Sequence, residues 1–338
     1  MFTIFLILAG VLLIFTKTVN KALNNPDDPA FDHQDTASAP GKEKDPDFEP
    51  LPTADEEPVF EPVKKEPEFE PVDEQPKPET TPAGKDYSTY GHLFGLIGKP
   101  LAHSTSKVRF NKMFREQHIN AYYENFELDS IEQVKELIES NPNLCGFNVT
   151  IPYKQDIIPF LNRLDETAQA IGAVNTVKVL HRDGGVELVG YNTDWIGFCK
   201  SFGELLEGHH KALILGTGGV SKAVKYALDY LHIENRFVSR NSTFDILGYY
   251  ELSPSVMDEY DVIVNCTPMG MWPDTNQCPD IPYTFLSDSH LLLDVIANPD
   301  ETMFMKKGRE HGATAKGGKD MLEQQAVAAW EIWNRIGE

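Results

Sequence analysis

The sequence predicts an α/β protein with parallel strands, organised as two domains behind an apolar N-terminal segment and an acidic linker. Three observations carry that reading. From His92 onward, short apolar runs alternate with helical stretches, the pattern of βαβ units. One apolar run, Leu213–Leu215, passes straight into Gly216, Gly218 and Gly219 and then into a helix of small and apolar residues. Residues 87–338 number roughly 250, which suits two domains of ordinary size.

The first element is the run Phe2–Phe15, broken only by Thr3 and followed by Lys17 and Lys21. At about 1.5 Å per residue it reaches roughly 21 Å as a helix, short for a hydrocarbon core unless the two lysines snorkel. No Lys or Arg precedes it and no A-x-A follows closely, so an uncleaved membrane anchor is favoured over a cleaved secretory signal. With the flanking lysines on the C-terminal side, the remainder of the chain is expected in the cytoplasm. Residues 24–86 follow, with 19 Asp and Glu against 6 Lys, many prolines and a loose repeat at Phe48-Glu49-Pro50, Phe60-Glu61-Pro62 and Phe69-Glu70-Pro71. Such a segment buries too little apolar surface to offset its chain entropy and reads as an extended, self-repelling tether. Docking of an unidentified partner by the FEP units is the alternative.

Candidate strands are His92–Gly98, Ala121–Leu128, Leu144–Val149, Leu213–Gly216, Phe237–Ser239, Val262–Cys266 and Leu291–Ile296. Composition narrows the function classes. With 41% hydrophobic and 24% charged residues the chain is neither wholly disordered nor a multi-span membrane protein. The net charge of −22 and the lack of any basic block argue against nucleic-acid binding. The four cysteines, Cys145, Cys199, Cys266 and Cys278, have no CxxC spacing, so neither a disulfide framework nor a metal site is expected, and a reducing compartment is.

The glycine turn is the sharpest local signal. Gly216, Gly218, Gly219 and Val220 let a backbone approach a pyrophosphate, which the N–H groups of the following helix stabilise. Ser221 stands where a third Gly or Ala is usual, and a tight βα turn without a ligand remains the alternative. The next strand ends in Ser239-Arg240-Asn241 instead of an acid, which suits a ribose 2′-phosphate and so NADP over NAD, unless Arg240 is only a solvated surface charge. Upstream, His103-Ser104-Thr105-Ser106 opens a helix and gathers two hydroxyls into a carboxylate cradle or, more blandly, an N-cap. Asn148-Val149-Thr150-Ile151-Pro152-Tyr153-Lys154 leaves a strand and sets Lys154 at its C-terminal edge, where a fixed lysine protonates a developing alkoxide. Gly172–Thr176, with Asn175, and Gly190–Asp194, with Asp194, are strand-end polar clusters. Taken alone, each also reads as turn chemistry.

In this order, these motifs resemble shikimate dehydrogenase over nearly all of residues 91–335. Val264–Met271, Asp294–Pro299 with Thr302, and Gly318–Ala326 extend the match. The resemblance implies an N-terminal α/β substrate-binding domain at 87–197 plus 318–338, a Rossmann-type NADP-binding domain at 198–317 and an active site in the cleft between them, behind the anchor at 1–23 and the linker at 24–86. It implies reversible, NADP-dependent reduction of 3-dehydroshikimate to shikimate, on the route to chorismate and aromatic amino acids. Lys154 and Asp194 would form the catalytic pair. Ser104 and Ser106 would take the substrate carboxylate, and Thr150, Asn175 and Gln325 the ring hydroxyls. The cofactor would lie on Gly216, Gly218, Gly219, Val220, Ser239, Arg240, Met269 and Gly318, with no metal.

Three departures stand out: Ala297 replaces the family's usual Tyr, Phe244 follows Arg240 where a second basic residue is usual, and the N-terminal 86 residues lie outside the pattern. They leave open quinate as substrate, NAD as cofactor, and a non-catalytic, membrane-tethered NADP-binding module. A homodimer is also left open.

Overall fold

The computed structural model describes residues 86–335. The apolar run at Phe2–Phe15 and the acidic linker, apart from Asp86, lie outside the described residues. Among the described residues no helix is long and apolar enough to cross a membrane.

Two six-stranded sheets organise this part of the chain. The first is built from β1 (His92–Gly98), β2 (Ala121–Glu127), β3 (Leu144–Val149), β4 (Arg163–Leu164), β5 (Thr176–Arg182) and β6 (Gly185–Tyr191), in the order β2-β1-β3-β5-β6-β4. β1 pairs in parallel with β2 and β3, but β5 is antiparallel to both β3 and β6. The expectation of parallel strands therefore holds for β1, β2, β3 and the β4–β6 pair but not for β5, which makes this sheet mixed. The cause is local: two alternating runs flank the two-residue loop Asp183-Gly184, and Arg182 pairs directly with Gly185 across it, a hairpin. Helices α1 (Ser106–Glu116), α2 (Val134–Ser140) and α3 (Glu166–Ile171) accompany this sheet, and α4 (Asp194–Phe202) leaves it.

The second sheet consists of β7 (Lys211–Leu215), β8 (Glu234–Ser239), β9 (Ile246–Gly248), β10 (Val262–Asn265), β11 (Leu291–Asp294) and β12 (Thr314–Lys316), with α5 (Gly219–Tyr230), α6 (Pro254–Glu259) and α7 (Met303–Glu310) between them. All its pairings are parallel. Its order, β9-β8-β7-β10-β11-β12, is that of a doubly wound dinucleotide fold, with the switch of direction between β7 and β10. β10 and β11 are buried at every position, which is why their sequences, Val-Ile-Val-Asn and Leu-Leu-Leu-Asp, show no alternation. β7 ends at Leu215, one residue before the expected limit, because Gly216 turns out of the strand at φ +102°, a conformation that favours glycine.

Two helices bind the halves together. α4 begins at Asp194 and buries Trp195, Phe198 and Phe202 in the apolar cluster that α5, β7 and β10 share, each ring contributing roughly 2–3 kcal/mol. α8 (Lys319–Asn334) places Met321 in that same cluster and then returns to the first sheet, where the Trp333 indole donates to Val177 O at 3.0 Å. Gly146 in β3 makes room for that ring, since a Cβ there would stand 2.3 Å from Trp333 Nε1.

Candidate active site

A cleft of about 1710 Å³ runs between the carboxyl end of the second sheet and the loops of the first. Lys154, in the turns after β3, reaches its centre and donates from Nζ to Asp194 Oδ2 at 2.6 Å. Asp194 is the first residue of α4 and only 6% exposed, so its carboxylate is fixed from several sides. Asn175 Nδ2 donates to Asp194 Oδ1 at 2.8 Å, and the Asn192 side chain accepts from the Asp194 N–H at 3.0 Å. Asn175 is held in turn, because its Oδ1 accepts from Thr193 N at 2.7 Å.

The network continues away from the cleft. Thr176 and Asn148 share a hydrogen bond of 3.1 Å, and the Tyr123 phenol donates to Asn148 Oδ1 at 2.8 Å. Burial drives the Tyr123 phenol well above its ordinary pKa, with a hydrogen bond to Ser106 acting the other way. The serine turn is thereby connected to the Lys154–Asp194 pair through buried, neutral groups. Ser104 Oγ accepts from Ser106 N at 3.3 Å, and both hydroxyls line the cleft with Thr150 and Gln325. Gln325, on α8, lies 3.4 Å from Asn175 Nδ2 through its Oε1.

The opposite wall is mostly backbone. Gly216, Gly218, Gly219, Val220, Ser239, Arg240 and Met269 all line it. Gly218 caps α5 without a side-chain hydrogen bond, so the first amides of this 12-residue helix face the cleft. A Cβ on Gly218 would meet nothing within 4 Å, whereas one on Gly219 would lie 3.0 Å from Lys154 Cβ. Gly218 thus leaves open space, and Gly219 lets the turn approach Lys154. Ser221, at the position of the missing third glycine, is fully buried and donates to Gly218 O at 2.6 Å, closing the turn by a hydroxyl. Arg240 lies beside Tyr249, whose phenol burial pushes up while that guanidinium pulls it down. Open amides, a glycine turn and a cation at the end of β8 fit the pyrophosphate and 2′-phosphate of NADP.

Residues 96–177 match the family model described as the shikimate dehydrogenase substrate binding domain. The NADP(+) shikimate dehydrogenase of Methanococcus vannielii is 36% identical over 263 residues, which cover 71% of this chain and 90% of that protein. The chain belongs to the shikimate dehydrogenase family. Among solved structures, the shikimate dehydrogenase of Aquifex aeolicus is 36% identical with a TM-score of 0.64, covering 74% of this chain and 94% of its own. A second shikimate dehydrogenase, solved in complex with NADP+, is 30% identical with a TM-score of 0.63, covering 76% and 93%.

Of the catalytic, substrate-binding and cofactor-binding residues that the resemblance implies, Gly318 alone does not line the cleft. It starts α8, and a Cβ there would stand 2.4 Å from Val295 O, so this position keeps α8 close to the strand-end loop. Ala297 does line the cleft, and near it the Trp272 N–H donates to Asn298 O at 3.2 Å while the Trp272 ring packs on His103 with centroids 3.8 Å apart. Cys266 also faces the cleft, yet burial, with Asp294 and Asp194 nearby, raises its thiol well above the usual range and leaves it un-ionised. Sequence reasoning missed Trp272, Tyr249 and Arg109. Only Arg109 carried a signal, as it follows Ser106 by three residues on the same helix.

Proposed function

We propose that the protein catalyses the reversible NADP-dependent reduction of 3-dehydroshikimate to shikimate. The observation that carries this reading is the buried Lys154–Asp194 pair, 2.6 Å apart, in a cleft whose two walls offer a carboxylate cradle and a dinucleotide turn. Ser104 and Ser106 seat the substrate carboxylate, while Thr150, Asn175 and Gln325 take ring hydroxyls. Lys154 Nζ gives a proton to the oxygen of the reacting carbon during reduction and recovers it during oxidation. Asp194, fixed by Asn175 and Asn192, holds both that ammonium and the reacting hydroxyl in line. Bound NADPH supplies the hydride. Gly216, Gly218, Gly219 and Val220, with the α5 amides, would hold its pyrophosphate, Ser239 and Arg240 would hold its 2′-phosphate, and Met269 would contribute to the nicotinamide side of the site. Gly318 contributes indirectly, by placing α8.

The N-terminal segments belong to the same proposal. Phe2–Phe15 anchors the chain and leaves the enzyme in the cytoplasm, where an NADP pool is available; its apolar character, interrupted only by Thr3, and the lysines that follow support this. Residues 24–86 serve as the tether, supported by their acidic, proline-rich composition.

The test is a spectrophotometric assay of the full-length chain in detergent, following NADPH formation from shikimate, with quinate and NAD as alternative substrate and cofactor. Turnover of shikimate with NADP is the expected result. NADP binding without turnover of either acid would overturn the reading in favour of a binding module. Carbonate extraction of membranes, with mass-spectrometric mapping of the mature N-terminus, checks the anchor: the chain is expected in the pellet and to begin at Met1, and a start beyond residue 20 would replace the anchor by a signal.

A further inference from the structure

One charged side chain in the cleft has no part in the reaction described above. Arg109 sits on α1 three residues beyond Ser106, a spacing that stacks the two on one helix face, and it lines the cleft with Leu96, Ser104, Ser106 and Gln325. It is 6% exposed. Its ion-pair partner is Glu323 of α8, with Nη1 3.4 Å from Oε1 but not aligned for a hydrogen bond. Neither Nε nor Nη1 has an acceptor.

A guanidinium offers five donors in a rigid fork that matches a carboxylate, and one that is buried with donors unfilled is destabilising until an anion completes it. Lys154, a second cation of the cleft, is engaged by Asp194. The serine cradle has neutral hydroxyls, and Arg109, three residues beyond Ser106 on the same helix, is a buried charged donor of the same cleft with capacity to spare.

We propose that Arg109 is a substrate-anchoring residue whose guanidinium donates to the carboxylate held by Ser104 and Ser106, so that the site selects an anion over a neutral polyol. This rests on the function proposed above. An anchor that acts equally on bound substrate and transition state changes KM and leaves kcat alone.

The experiment compares wild type, Arg109→Met and Arg109→Lys as full-length chains, with shikimate and its uncharged methyl ester as substrates and NADP+ as cofactor. For Arg109→Met, KM for shikimate is expected to rise about 10- to 100-fold, as for loss of a hydrogen bond to a charged group. Its kcat, its KM for NADP+ and its KM for the ester should stay within about 3-fold. For Arg109→Lys, which keeps the charge and loses the fork, KM for shikimate should rise by only about 3- to 10-fold, again without effect on the ester. The Lys variant decides the matter if the Met variant does not fold. An unchanged KM for shikimate, or equal shifts for acid and ester, would reduce Arg109 to a packing partner of Glu323. Wild type that turns over no shikimate would overturn the function itself and this proposal with it, whereas turnover with an unaffected variant overturns the anchor alone.

Discussion

The two walls of the cleft are built on opposite principles. The first-sheet wall works through side chains: Tyr123, Asn148, Thr176, Asn175, Thr193 and Asp194 form one buried hydrogen-bonded network that ends at Lys154. The second-sheet wall works through backbone: the glycine turn and the open amides of α5 face the ligand, over strands that are almost wholly apolar. Its buried polar group is smaller, with Asn265 and Thr302 donating to Asp294 at 3.1 and 2.6 Å. Chemistry at a single carbon needs groups of defined pKa in fixed positions, whereas a pyrophosphate needs only close, unobstructed N–H donors. Substitutions in the buried network that ends at Lys154 should therefore affect catalysis, and substitutions on the second wall cofactor affinity.

The largest expected effect breaks the first wall at its end. Lys154→Ala and Asp194→Asn should each lower kcat by about 10²- to 10⁴-fold, the range for loss of a positioned general acid, while NADP+ affinity by fluorescence titration stays within a few-fold. Full turnover in either variant would remove the mechanism. Next, Asn175→Ala strips acceptors and donors from buried partners and should destabilise the fold by about 1–3 kcal/mol in denaturant melts, with kcat falling as Asp194 loses its brace. If only stability changes, the network is structural and does not steer the carboxylate.

On the second wall, Arg240→Ala should raise KM for NADP+ by about 10-fold or more, as expected for an exposed charge-assisted contact to phosphate, and leave kcat and KM for NAD unchanged. Equal effects on both cofactors would show that Arg240 does not read the 2′-phosphate. A further effect on this wall is a pH dependence of stability. Burial raises the Asp294 carboxyl from its ordinary 3.8 to about 6, against the hydrogen bonds from Thr302, Ile296 N and Asn265. The folded state therefore holds this proton more tightly than the unfolded state. The stabilisation is full below pH 4 and lost as pH rises through 6, by up to about 3 kcal/mol. Comparing the stability of wild type and Asp294→Asn between pH 4 and 7 isolates this group, and parallel curves would show that Asp294 titrates normally.

Much of the fold was legible because the second sheet obeys local rules. The apolar runs at Val262–Asn265 and Leu291–Asp294 and the glycines after Leu215 each announce a buried parallel strand or a turn without reference to distant residues. The first sheet was less legible. Asp183-Gly184 between two alternating runs is a hairpin signal, but neighbouring polar clusters drew attention to strand ends, and the antiparallel pair β5–β6 went unread.

The sequence by itself determined which residues the proposed chemistry uses, since Lys154, Asp194, Asn175 and the glycine turn keep their identity whatever surrounds them. Only the tertiary structure decided how they meet. α4 and α8 each pack on the second sheet's core while delivering Asp194 and Gln325 to the first, and that placement depends on Trp195, Phe198, Phe202 and Met321 finding a common apolar cluster. The same holds for Arg109 and Gly318. One is an ordinary helix arginine until burial removes its partners, and the other an ordinary glycine until Val295 stands 2.4 Å from where its Cβ would be. Burial and close approach are properties of pairs of segments far apart in the chain, so no local pattern encodes them.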